Sequence, residues 1–201
     1  MTTFIIATHN QKKLKEMARI LEPLGIRAAT DRDLGLTLTE AEETGDTFEE
    51  NAYIKAAAAC RESGLPAIAD DSGLMVDALG GRPGIYSARY AGENATDADR
   101  NVKLLKELKD VPEKQRTAKF VSAICCVFPD GGQVAAVGEC LGHIDFSPKG
   151  ENGFGYDPLF VPLGYEKTFG EIEPEIKNRI SHRANALAGL REKLRQKEGS
   201  L

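Results

Sequence analysis

Short apolar runs alternate along the chain with segments of helical periodicity. Phe4 to Ala7 is a continuous apolar run, the pattern of a buried strand, and it ends at polar Thr8-His9-Asn10. Leu14, Met17, Ala18 and Leu21 then recur at helical spacing with Lys12, Lys15, Glu16 and Arg19 between them. This predicts an amphipathic helix that stops near Pro23 and Gly25. Thr47 and Glu50 have capping-box spacing ahead of an Ala-rich helix through Ala52, Ile54, Ala56 and Ala59, which stops near Gly64. Leu65 to Ala69 is a strand candidate that runs into Asp70-Asp71-Ser72-Gly73, where the glycine lets the backbone turn. Gly80 to Tyr90, rich in Gly and Arg, reads as loop. Thr96 and Asp99 open a further helix with Val102, Leu105 and Leu108 as its apolar face and Pro112 beyond its end. Ala118 to Phe128 and Gln133 to Ile144, joined by Pro129-Asp130-Gly131-Gly132, predict a hairpin. Ser147 to Tyr156 is a Gly-punctuated loop, and Ser181 caps a last helix with Leu187, Leu190 and Leu194 on its apolar side.

Helices and strands alternate around a central hairpin, which predicts an α/β protein with a mixed sheet. No linker interrupts the pattern, so residues 1–201 read as a single domain. Hydrophobic residues at 41% and charged residues at 28% exclude disorder over the whole chain. No apolar run approaches the ~18 residues of a membrane span, and no membrane partner is expected. The start carries neither a basic n-region nor a long apolar stretch, so it is not read as a secretory signal. A net charge of −5 argues against a general nucleic-acid binder but leaves room for one small polyanion. Cys60, Cys125, Cys126 and Cys140 show no C-x-x-C spacing, which speaks against zinc and predicts reduced, buried thiols in a cytoplasmic protein.

Several segments hold candidate chemistry. Thr8 to Lys13 lies at a strand-to-helix junction, where free N–H groups and the positive end of the helix dipole suit an anion, although a plain helix cap reads the same. No G-x-x-x-x-G-K-[ST] or G-x-G-x-x-G motif supports an ordinary NTPase or dinucleotide site. Asp70 and Asp71 follow an apolar strand, and adjacent positions there point different ways, so one can face chemistry while the other holds the loop. Glu40, Glu42 and Glu43 read alone as a solvated run; beside Asp71 one of them completes an oxygen site for Mg²⁺. Lys55 shares a helix face with Asn51, four residues earlier. Phe154-Gly155-Tyr156-Asp157 joins aromatic faces, able to stack on a purine, to one carboxylate, although a loop pinned into the core by its aromatics reads the same. Lys177, Ser181, His182 and Arg183 surround the start of the last helix, as an anion or base site or as a plain Ser cap with exposed bases.

Taken in order, THNQKK (8–13), EETGDTFEENAYIKA (42–56), AIADDSGLMVDALGGRPGIYSARYAG (67–92), GFGYDPLFVP (153–162) and ISHRANAL (180–187) resemble the inosine triphosphate pyrophosphatase family over nearly the whole chain. His9 stands where that family often carries a small residue. The resemblance implies an elongated mixed sheet flanked by helices, with two lobes and a central nucleotide-binding cleft. It also implies a cytoplasmic homodimer that uses Mg²⁺ to hydrolyse dITP, ITP and XTP to the monophosphate and pyrophosphate. By resemblance, Asp71 is the catalytic carboxylate and, with Glu43, a metal ligand. Thr8, His9, Asn10, Gln11, Lys12, Lys13, Lys55 and Ser72 fall on substrate positions, as do Phe154, Gly155, Tyr156, Asp157, Lys177, His182 and Arg183. Two other readings keep much of this pattern: a pyrophosphatase for another abnormal nucleotide, as in Maf-type proteins, and a non-enzymatic nucleotide-binding regulator. The latter has no need of both Asp71 and Glu43.

Overall fold

The computed structural model describes residues 2–8, 10–22 and 25–198. His9 and Pro23 therefore lie outside the described residues. A six-stranded sheet has the order β2-β1-β3-β4-β5-β6, built from β1 (Thr2–Ile6), β2 (Ile26–Ala29), β3 (Ala67–Val76), β4 (Thr117–Val127), β5 (Gln133–Ile144) and β6 (Phe160–Pro162). The helices are α1 (Gln11–Leu21), α2 (Phe48–Ser63), α3 (Asp97–Glu107), α4 (Pro174–Ile180) and α5 (His182–Glu198). β1 pairs parallel with β2 and β3, while β5 and β6 pair antiparallel, so the sheet is mixed as expected. Among the described residues no helix is long and apolar enough to cross a membrane.

The chain divides into two compact units, and each has its own core. The first comprises residues 1–71, 122–138 and 183–201. Its core packs Phe4, Ile6, Met17, Leu21, Ile68, Ile124, Ala186, Leu187 and Leu190. The second comprises residues 72–121 and 139–182, and it packs Leu74, Leu104, Leu108, Phe120, Phe160, Phe169 and Ile172. β3, β4 and β5 each run from one unit into the other.

The helix starts follow local chemistry. Thr47–Glu50 and Thr96–Asp99 are both complete capping boxes, and the Gly64 N–H bonds the Cys60 carbonyl at the end of α2 with φ +69°. The hairpin closes through Phe128 N–H to the Gly132 carbonyl at 2.9 Å, with Gly131 at φ +85°. All four cysteines are buried and none is in a disulfide, and burial pushes the Cys125 and Cys140 thiols up to about 11.

Three expectations change. The strand after Leu65 does not end at Asp70: β3 continues through Asp70, Asp71, Ser72 and Gly73 to Val76. Its parallel neighbour β1 pairs only as far as Ile6 opposite Ile68, so the two aspartates lie past the carboxyl end of β1. On α3, Val102 is 67% exposed; the buried stripe is Asn101, Leu104 and Leu108, with Leu105 half-buried. Ser181 closes α4, an unanticipated helix with Pro in its first turn, by donating its N–H to the Lys177 carbonyl, and α5 starts at the next residue.

Candidate active site

In the first unit, residues from β3, α1, α2 and α5 meet at the two aspartates. Asp70 is wholly buried. Its Oδ2 accepts from Lys13 Nζ at 2.9 Å and from the Arg183 guanidinium at 3.0 Å, and its Oδ1 accepts from the Ser122 hydroxyl. Arg183, itself buried, also pairs with Glu16 on α1. Burial alone would push the Asp70 carboxyl up. The charges of Arg183 and Lys13 and the Ser122 and Arg183 hydrogen bonds outweigh it and hold Asp70 well below the usual carboxylate range.

Asp71, the next residue along the strand, has different neighbours. Its Oδ1 accepts from Lys55 Nζ at 3.2 Å and its Oδ2 from Asn51 Nδ2 at 3.3 Å. Lys55 Nζ also donates to Glu43 Oε1 at 2.7 Å and to the Asp70 carbonyl at 3.0 Å. One ammonium thus bridges two carboxylates. Asp71 is pushed above the ordinary carboxylate value, first by burial and then by the charges of Glu43 and Asp70, against the opposing pull of Lys55 and Lys13. Burial pulls Lys55 down, but Asp71 and Glu43 more than restore it, leaving the ammonium firmly charged. The loop that carries Glu43 is tied to α2 where Gly45 N–H donates to Asn51 Oδ1 at 2.9 Å. A Cβ at Gly45 would stand 2.6 Å from Glu50 Cβ, so only glycine allows this approach.

Asn10 caps α1, its Oδ1 accepting from Lys12 N–H at 3.0 Å and Lys13 N–H at 3.2 Å, while the Asn10 N–H donates to Thr8 Oγ1 at 3.2 Å. Gln11 and Lys12 are exposed on the first turn. The cap geometry sets the positive end of the α1 dipole behind this segment.

The second unit holds the aromatic loop. Asp157 Oδ2 accepts from Lys177 Nζ at 2.6 Å and from Phe154 N–H at 2.8 Å. The Lys177 ammonium lies 5.0 Å from the Phe154 ring centroid. Tyr156 donates its hydroxyl to the Ser87 carbonyl at 2.9 Å, and Asn101 Nδ2 donates to the Gly155 carbonyl at 3.1 Å. His182 stacks on Phe120 at 4.8 Å between centroids. Ser72 is half-buried at the start of this unit. Gly153 has φ +75°, and a Cβ there would fall 2.0 Å from Asp157 Oδ2. Gly153→Ala is expected to lose about 1–3 kcal/mol of stability through backbone strain and displacement of Asp157; a urea titration measures it.

The structure places the sequence-predicted Thr8, Asn10, Lys13, Glu43, Lys55 and Asp71 in one unit with Arg183, and Phe154 to Asp157, Lys177 and His182 in the other. Sequence reasoning assigned no partner role to Asn51, Ser122 or Glu16. The readable signal at Asn51 is its spacing, four residues before Lys55 on the same helix face; its burial shows only in the structure. Arg183, taken from the resemblance as a nucleotide contact, has its guanidinium engaged by Asp70 and Glu16.

This is the architecture of a mixed-sheet α/β protein whose buried carboxylates are held by lysine and arginine. The chain belongs to the Ham1 family, whose sequence profile matches residues 4–193. A dITP/XTP pyrophosphatase of Haemophilus influenzae is 53% identical over 194 residues, covering 94% of this chain and 97% of that protein. One of Bacillus subtilis is 48% identical over 190 residues, covering 94% and 96%. The solved structure of a HAM1 protein from Coxiella burnetii superimposes with a TM-score of 0.85 at 41% identity, covering 98% of this chain and all of that one.

Proposed function

We propose that this chain is a nucleoside-triphosphate pyrophosphatase that hydrolyses deaminated purine nucleotides (dITP, ITP and XTP) to the monophosphate and pyrophosphate. The observation that carries the chemistry is the Asp71–Lys55–Glu43 bridge in the unit that also contains Lys13 and the α1 cap. The substrate class rests on family membership and on the relatives named dITP/XTP pyrophosphatase.

Among the described residues no group of three His, Cys, Asp or Glu side chains gathers as a metal cage. Glu43 and Asp71 nevertheless suit Mg²⁺, which binds through one or two carboxylates and takes its other ligands from water and phosphate. These two residues would hold the ion, and bound there it supplies positive charge to the phosphate oxygens. The chain's own groups do the rest. Asp71 accepts the proton of the water that attacks the α-phosphorus. Lys13, steered by Asp70, and the N-terminus of α1 with Thr8 and Asn10 neutralise the triphosphate. Lys55 keeps the two carboxylates together against their mutual repulsion. In the other unit Phe154 offers a face for the purine, and His182 a donor for the 6-oxo group that adenine lacks. Arg183 acts through Asp70 rather than on the base. The reading also includes a cytoplasmic homodimer, both features taken from the family resemblance; sedimentation tests the second.

Incubation with Mg²⁺ and dITP, XTP, dGTP or dATP, followed by product chromatography, tests the reading. Monophosphate and pyrophosphate are expected in equal amounts, from dITP and XTP far above dGTP and dATP, and only when Mg²⁺ is supplied. Nucleotide binding without turnover would favour a regulator instead.

A further inference from the structure

Asn101 sits on the buried stripe of α3, in register with Leu104 and Leu108, and is 6% exposed. Nothing about fold stability recommends asparagine there. It is a weak helix former, and its Oδ1 is buried with no hydrogen-bond partner among the described residues. Its Nδ2 makes one long-range bond, to the Gly155 carbonyl at 3.1 Å, 54 residues away in sequence. Only the amide's donor end can face a carbonyl, so this bond sets the side chain's orientation and leaves the acceptor end unused.

The Gly155 carbonyl lies in the aromatic loop, whose other anchors are already accounted for. The Phe154 N–H and Lys177 fix Asp157, and the Tyr156 hydroxyl reaches Ser87. Gly155 itself has φ +62° and no side chain to hold it. Asn101 is carried by a rigid element, since a complete capping box starts α3 and Arg100 bonds the Ala88 and Ala95 carbonyls at 2.7 Å.

We propose that Asn101 is a positioning residue for nucleotide affinity: by gripping the Gly155 carbonyl it sets the placement of the Phe154 ring that meets the purine. The inference rests on the pyrophosphatase reading given above. It places a polar group on a stripe where a core position calls for leucine, a local departure from stability rules of the kind functional sites carry. The effect falls on the base and is the same in ground and transition states, so loss of the bond raises KM and leaves kcat nearly untouched.

Asn101→Leu removes both amide functions at similar size, and Asn101→Asp keeps the shape but loses the donor. Each is compared with the wild-type enzyme for kcat and KM on dITP with Mg²⁺, alongside its thermal midpoint. Both variants are expected to fold and to show KM raised about tenfold with kcat within about twofold. An unchanged KM in a folded variant overturns the proposal, as does a kcat that falls in step with kcat/KM. Failure of both variants to fold makes Asn101 a purely structural residue and also overturns it. Wild-type protein inactive on dITP removes the pyrophosphatase reading and the proposal with it, whereas active wild type with an unaltered variant KM removes the proposal alone.

Discussion

Asp71→Asn folds, gains stability at neutral pH and loses turnover by about a hundred- to ten-thousandfold, the usual contribution of a positioned general base. The turnover loss follows from removing the proton acceptor, and the stability gain from the electrostatics of its site. Burial and the charges of Glu43 and Asp70 hold the Asp71 pKa above its unfolded value, so the ionised carboxylate works against folding. The stability that a raised carboxyl contributes is complete below the unfolded pKa and is lost as pH rises through the folded one. Wild type therefore falls behind the neutral isostere as pH increases. The thermal midpoint of Asp71→Asn is expected to exceed that of wild type at pH 8, with the gap closing towards pH 4. Calorimetry across that range checks it, and a variant less stable than wild type at pH 8 contradicts the account. In the variant Asn51 Oδ1 still accepts from the Gly45 N–H and Lys55 still donates to Glu43, so the geometry survives.

Asp70→Ala does the opposite. It strips Arg183 and Lys13 of their shared buried carboxylate, while Arg183 keeps its pair with Glu16. Breaking one side of a buried pair costs about 3–5 kcal/mol, a large part of the total stability of a domain of this size. Because the folded pKa of Asp70 is depressed, the stability it contributes is present above the unfolded carboxylate range and is lost only as pH falls through the folded value. A urea titration at pH 7 should therefore show the full deficit, and one in strong acid should show less. A deficit under ~1 kcal/mol at pH 7 would mean the ion pairs are near break-even.

These two aspartates also mark the limit of what the sequence makes legible. Their adjacency predicts opposite directions, and the structure follows: one faces Lys13 and Arg183, the other Lys55 and Asn51. That β3 carries them in mid-strand is not legible, because charged residues inside a strand are affordable only with partners that lie far along the chain, and Arg183 is 113 residues from Asp70. Capping boxes at Thr47 and Thr96 are local chemistry and were readable outright. β2 and β6 are four and three residues long, too short for any period to show, and they exist through pairing with β1 and β5. Asn101 escaped for the converse reason: periodicity counts apolar positions, and a polar residue on the buried stripe shifts the inferred face onto Val102.

The central claim is that water, activated at Asp71, attacks the α-phosphorus. Turnover of dITP in ¹⁸O-labelled water tests it most directly, with mass analysis of both products. The account predicts one labelled oxygen in the monophosphate and none in pyrophosphate. Label in pyrophosphate, or release of inorganic phosphate instead, would contradict it.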